Sequence, residues 1–335
     1  MDVLRYRPEP AELSWTFGGV PPVRRIRPGT LVEMWTEDAF GGKVRGPEDR
    51  ISRTIDPRFL NPQTGPFYVE GAEVGDTVAV HFVSIEPARD WGVSSTIPFF
   101  GGLTSTNRTA TLQPALDERL WFYEVDRGAG TVTFRATSGD HTVALPLDPM
   151  HGTVGVAPAL YEVRSSLVPD AFGGNMDTPE MRAGTTCYLG VNVEGAMLSL
   201  GDGHCRQGEG ETCGVAVEAA MDTVVAIGLI KAVATPWPRL ETDSHIMVAG
   251  SGRPLEDAWR VGHQDLVSWL ARDFGLDPLD AYQLVTQACE CPVANVVDPN
   301  YTVVTKIRKA YLPNATVYRD THAELSQLGQ TYLRG

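Results

Sequence analysis

Short apolar runs broken by turn residues dominate the first two thirds of the chain. Leu31 to Trp35, Phe67 to Glu70 and Thr77 to Ile85 follow Pro28-Gly29, Gly65-Pro66 and Gly75-Asp76. Runs of this length between such turns predict β-strands. Leu120 to Val125 and Thr131 to Ala136 flank Asp126 to Gly130 and predict a hairpin. Strand patterns return at Thr186 to Val193, Ala196 to Leu200, Thr212 to Val217 and Thr223 to Val233. Residues 146 to 186 are rich in Pro and Gly and lack periodicity, which reads as loop serving a site. Helical period is confined to the last third. Trp259, His263, Leu266, Val267 and Leu270 fall on one stripe, and Asp277-Pro278 reads as the N-cap and first-turn proline of a helix through Ala288. The expected fold is therefore mainly β with an α+β portion. It comprises a sandwich or jelly-roll-like element, a mixed sheet, and helices from about 253 to 290 at one side. Residues 1–145 form a β-rich part and 146–335 the part bearing the candidate site. No linker separates them, so they share an extensive interface or form one continuous domain.

Composition narrows the class. The 335 residues include 34 Gly and 24 Pro, which suits many short strands joined by tight turns. Net charge is −14, from 28 basic and 42 acidic residues, with no basic run. This argues against nucleic acid and against an anionic membrane surface as partners. The opening MDVLRYRPEP has no apolar segment of the signal-peptide kind, and the longest apolar stretch, Val224 to Ala234, is interrupted by Lys231. The five cysteines are odd in number and lack a CxxC pair, which fits a reducing cytoplasm.

The unusual chemistry lies in LSLGDGHCRQGEGETCGVAVE, residues 198 to 218. Asp202 and His204 are two apart, as are Glu209 and Glu211, so each pair shares one face of a strand. A hairpin turning at Arg206 and Gln207 would set Asp202 opposite Glu211 and His204 opposite Glu209. Carboxylates at that separation repel unless a cation lies between them. A divalent metal meets the need: zinc for His with carboxylates, calcium for carboxylates with carbonyls. The glycines at 201, 203, 208 and 210 leave room between ligands. Asn175 and Asp177 in GGNMD, again two apart, add a further ligand and an amide donor. A solvent-facing acidic hairpin is the competing reading, as is a non-enzymatic calcium-binding β-sandwich. GxSxG, HExxH and GxxxxGK[ST] are all absent from the sequence.

Together, GPFYVEGAEVGDTVAVHF (65–82), GTVGVAPA (152–159), GGNMD (173–177), GAMLSLGDGHCRQGEGE (195–211) and EDAFGG (37–42) resemble the acetamidase/formamidase family, in order from about Trp15 to about Lys309. The resemblance implies hydrolysis of a small carboxamide such as formamide or acetamide to a carboxylate and ammonia. Other linear or cyclic amides are the alternative. It also implies a β-rich, metal-dependent, oligomeric protein, expected as a homodimer. Asp202, His204 and Glu211 fall on the family's GD-x-H-x-x-QG-x-GE motif, Asn175 and Asp177 on its GGN-x-D, and Glu70 on the acid of V-E-G-A. Asp177, Asp202 and His204 are assigned to the metal, zinc first and calcium second. Glu211 is either a fourth ligand or the general base, with Glu70 as second candidate for the base. Asn175, Gln207 and backbone N–H groups near Gly173-Gly174 are candidates to bind the developing oxyanion. Cys205, Arg206 and Glu209 depart from the family pattern, and Leu103 to His141 shows no clear likeness. His151 is a further residue able to approach the site.

Overall fold

The computed structural model describes residues 2–104, 114–312 and 316–335. Part of the Leu103 to His141 stretch thus lies outside the described residues. The larger sheet has nine strands, in spatial order β1 (Val3–Tyr6), β4 (Leu31–Thr36), β16 (Met221–Ile230), β6 (Thr77–Pro87), β14 (Thr186–Gly190), β17 (Arg239–Glu241), β18 (His245–Gly252), β20 (Tyr301–Arg308) and β19 (Val293–Asn295). A five-stranded sheet runs β13 (Gly173–Asn175), β11 (Met150–Gly155), β15 (Leu198–His204), β5 (Gln63–Val69) and β3 (Arg24–Ile26). A four-stranded sheet runs β10 (Thr142–Pro146), β9 (Thr131–Arg135), β8 (Arg119–Asp126) and β7 (Trp91–Thr96), and β12 (Arg164–Ser165) pairs with β2 (Thr16–Phe17). Most pairings are antiparallel; β1–β4 and β3–β5 are parallel.

Period-two alternation sorts the larger sheet's side chains into two cores. Val78, Val80 and Phe82 of β6, Leu189 of β14 and Ile227 of β16 face the five-stranded sheet, meeting Phe67, Val154, Leu198 and Leu200. Their neighbours Ala79, Tyr188 and Ala226 face the helices. Those helices are α2 (Leu255–Phe274), α3 (Pro278–Ala288) and α4 (Thr321–Arg334), contributing Leu266, Trp269, Leu270, Val285 and Leu325. The Asp277 carboxylate caps α3 by accepting from the Leu279 N–H at 2.9 Å. A third cluster joins Phe40, Ile51 and Ile55, around the short α1 (Ile51–Thr54), to Val93, Leu120 and Val215.

The mainly β character with C-terminal helices agrees with the sequence pattern, as do the β8–β9 hairpin and the α2 and α3 positions. Strands from either side of residue 145 interleave, with β16 lying between β4 and β6. Three expectations are corrected. Residues 146–186 carry β11, β13 and the start of β14 rather than loop alone. Thr212 to Val217 is not a strand, because Gly214 at φ 87° turns the chain within it. The helix α4 was not anticipated: its buried positions His322, Leu325 and Gly329 include only one large apolar side chain.

Candidate active site

The central strand of the five-stranded sheet, β15, is held between β11 and β5. Its Gly203 faces the larger sheet so closely that a Cβ there would lie 2.2 Å from Met221 Cγ. Asp202 and His204 turn to the opposite face, with Asp202 Oδ1 3.5 Å from His204 Nε2. On β11, the pairs His151↔Gly203 and Thr153↔Gly201 place Gly152 beside Asp202. A Cβ at Gly152 would fall 2.3 Å from Asp177 Oδ1, 2.5 Å from Asp202 Oδ2 and 3.0 Å from His204 Cε1. Only a glycine leaves that floor open.

Around His204 the fold gathers five carboxyl groups: Asp177, Asp202, Glu211, Glu218 and Asp298, all at most 7% exposed. Asp177, His204 and Glu211 offer ligand atoms within 4.8 Å of one another, and so do Asp202, His204 and Glu218. Glu218 Oε2 lies 3.2 Å from His204 Nε2. Among the described residues, His204 is the one basic side chain paired with these acids. Asp177, Asp202 and Glu211 hold φ angles of 45°, 57° and 45°, in the left-handed region that costs a non-glycine residue about 1–3 kcal/mol. The surrounding structure imposes that backbone, and what it achieves is the aim of three carboxylates at one point.

The electrostatics follow from burial. Burial, then the Asp202 carboxylate, raises Asp177 to about 6. Burial also raises Glu218 to about 7, against the pull of His204. Burial and the nearby Asp177 hold Glu211 and Asp298 well above the carboxylate range. Burial alone would depress His204, but Glu218 and Asp202 outweigh it and keep the imidazole well above its usual value. These acids have no cation of their own beyond one imidazole, so they must keep protons or accept a cation from outside. One carboxylate oxygen, Asp177 Oδ1, is buried without a hydrogen-bond partner. An unpaired oxygen, an open glycine floor and a His/carboxylate donor set fit a divalent ion, with zinc favoured by the imidazole.

The amides near the cluster are already engaged. Gln207 Oε1 accepts from His204 Nδ1 at 3.0 Å, while its Nε2 donates to Asp177 O at 2.6 Å and Ala294 O at 3.0 Å. This turns Nε2 toward the Asp202 and Glu218 carboxylates, the arrangement expected around a metal-ligating histidine. Asn175 Nδ2 donates to Asp177 Oδ2 and Asp298 Oδ2, both at 2.9 Å. Its Oδ1 accepts from Asn61 Nδ2 at 3.0 Å and from Thr153 Oγ1. Neither side chain has a donor left for an oxyanion, so both are corrected to positioning groups.

Other expectations part company with the geometry. Glu70 pairs with Arg27 and Arg25 at 3.3 and 3.9 Å, on a partly exposed surface turn. It follows β5, whose Phe67 pairs with Leu198, at the opposite end of β15 from His204 and about 20 Å away at the strand rise. Glu70 is therefore corrected: it is no base for this site. No hairpin joins Asp202 to Glu211, because β15 pairs with β11 and β5 while Glu211 arrives on a separate turn and Glu209 faces solvent. His151 is turned away from the acids. Its Nδ1 donates to Gly201 O at 2.9 Å, its Nε2 accepts from Thr223 Oγ1 at 2.8 Å, and burial lowers it to about 4. Arg206 donates to Pro146 O at the surface. Glu218 and Asp298 were not singled out as ligand-type residues. Glu218 reaches His204 through an isolated bridge after a loop of 13 residues, 205 to 217. Asp298 follows β19, and neither carries a local spacing signal.

Comparison with known proteins places the chain in a family. Residues 14–165 and 159–313 match the model of the Acetamidase/Formamidase family. The formamidase of Methylophilus methylotrophus is 27% identical over 257 residues, covering 63% of this chain and 62% of that protein. The acetamidase of Mycolicibacterium smegmatis is 26% identical over 309 residues, covering 76% and 74%. The chain thus spans 62% of the length of the formamidase it matches. The crystal structure of an acetamidase from Yersinia enterocolitica superposes with a TM-score of 0.88 at 40% identity, covering 93% of both chains. The chain belongs to the acetamidase/formamidase family.

Proposed function

We propose that the chain hydrolyses a carboxamide to a carboxylate and ammonia, with a divalent ion held by Asp177, Asp202, His204 and Glu211. One observation carries this reading: four buried carboxyl groups surround one imidazole, with a fifth, Asp298, beside Asp177, and one carboxylate oxygen, Asp177 Oδ1, buried without a partner. When bound, the ion supplies Lewis acidity toward the amide carbonyl and acidifies water. Gln207 fixes the His204 tautomer, and Asn175 and Thr153 hold Asp177 and Asp202 in place. Glu218 lines the cleft above the site, with Oε1 held by the Ala216 N–H at 2.9 Å and Oε2 facing His204 Nε2 at 3.2 Å. Glu218 takes the proton of the water that attacks the carbonyl carbon. It then delivers that proton to the amide nitrogen as the C–N bond breaks and ammonia leaves. The likeness to proteins named formamidase and acetamidase supports the same reaction class. A homodimer and a cytoplasmic location belong to the same reading; among the described residues no helix is long and apolar enough to cross a membrane.

The test is metal analysis of the purified protein, paired with ammonia release from a panel of carboxamides before and after chelation. The expected result is about one equivalent of zinc, since both groups of candidate ligands share His204, with activity lost on chelation and restored by zinc. Metal-free protein with undiminished turnover overturns the metal assignment. Absence of ammonia from every amide overturns the reaction.

A further inference from the structure

The acids form the floor of a cleft far larger than a formamide or acetamide molecule. Its volume is ≈ 560 Å³, within the range of sites that enclose drug-sized ligands. Asp202, Glu211, Glu218 and Asp298 line the floor. The walls are apolar: Phe40, Ile51, Ile55, Leu60, Ile97 and Val297. Most of these belong to the packed cluster around α1, so the wall is a rigid face of a small core rather than a mobile lid. At the rim stands Phe99, 59% exposed and held at φ 63°, a backbone conformation that costs an aromatic residue free energy. Among the described residues, Arg253 is the one basic side chain on the lining; its Nη2 donates to the Asp298 carbonyl at 2.8 Å, its guanidinium lies over the Tyr301 ring at 4.2 Å, and its Nε has no partner.

Resting on the amidase reading above, we infer that the substrate is a carboxamide whose acyl group is a medium-length alkyl chain or an aryl group, seated against the Phe40–Ile55–Ile97 wall. An acyl group of one or two carbons leaves most of that wall in water. Each methylene buried there strengthens binding about fourfold.

The test is kcat/KM for acetamide, butanamide, hexanamide and phenylacetamide, read by ammonia release from the metal-loaded protein. The expected result is a rise of about fourfold per methylene, carried by KM, so that hexanamide exceeds acetamide by ~10²-fold. Ile97→Trp, which fills the cleft, is expected to cut the hexanamide-to-acetamide ratio at least tenfold. Phe99→Ala, at an exposed position with little bearing on folding, is expected to raise KM for hexanamide more than for acetamide. Ammonia release that is flat or falls along the series overturns this substrate class and leaves the amidase reading intact. Release from none of the four overturns both.

Discussion

Two regions of this protein bury charge, and they do so in opposite ways. Against the helices, Arg239 donates from Nε and Nη2 to both oxygens of Asp265 at 2.8 and 2.7 Å, and from Nη1 to the Tyr318 hydroxyl at 3.1 Å. Its guanidinium lies over the Trp269 ring at 4.3 Å. That pair is neutral overall and its donors are matched. On the outer face of β15, four carboxyl groups surround one imidazole, with a fifth, Asp298, beside Asp177, and one carboxylate oxygen, Asp177 Oδ1, has no partner. A balanced pair is complete within the fold. An unbalanced cluster is complete only with something the chain does not encode. Burial by itself does not mark a functional site; the mark is a surplus of one charge sign.

The contrast can be broken by substitutions that should act on only one side of it. Glu218→Gln removes the proposed proton carrier, and kcat is expected to fall by about 10²–10⁴-fold. The melting temperature of the chelated protein should hold or rise, because one repelling carboxyl is gone. A large loss of stability with full activity would place Glu218 among structural residues. Asp265→Ala should do the reverse. It leaves Arg239 buried without its carboxylate, at a cost of about 3–5 kcal/mol in denaturant unfolding, while the folded fraction keeps its kcat/KM. Gln207→Ala is expected to weaken zinc binding about 10–100-fold by freeing the His204 ring, read by competition with a chromogenic chelator.

The smallest effect is a pH dependence. Asp177 and Glu218 titrate at about 6 and about 7 in the fold, and near 4 in an unfolded chain. Between those limits the metal-free folded state holds more protons than the unfolded state, so its stability falls as pH rises through that window. The dication proposed above would take the place of the protons. The gap in melting temperature between zinc-loaded and chelated protein should therefore widen from about pH 5 to about pH 7.5. A gap constant with pH would show that the ion does not sit among these acids.

Local chemistry made much of this legible in advance. The Asp277 cap, the Leu266–Leu270 stripe of α2 and the alternating runs of β4, β6 and β16 rest on neighbours within a few residues. Asp202 and His204 share a strand, and Asn175 bonds Asp177 two positions on, so their spacing carried real geometric content. The same reasoning failed where contacts are nonlocal. A hairpin between Asp202 and Glu211 fits the spacing equally well, and nothing local shows that β15 takes β11 and β5 as partners instead. Glu70 looked like a site acid within its motif, yet the register of β5 carries it to the far end of the sheet.

From residue order alone came the elements, their caps, the acidic surplus and the identity of three of the five carboxyl groups at the site. These depend on backbone geometry and on side chains a few positions apart. The recruitment of Glu218 and Asp298, the diversion of Asn175 and Gln207 into positioning roles, and the apolar wall above the acids were decided only by strand pairing and sheet packing. The physical reason is that each depends on segments tens of residues apart being closed onto one face of β15, and the energy that selects that closure is spread across the two cores rather than written beside the residues it brings together.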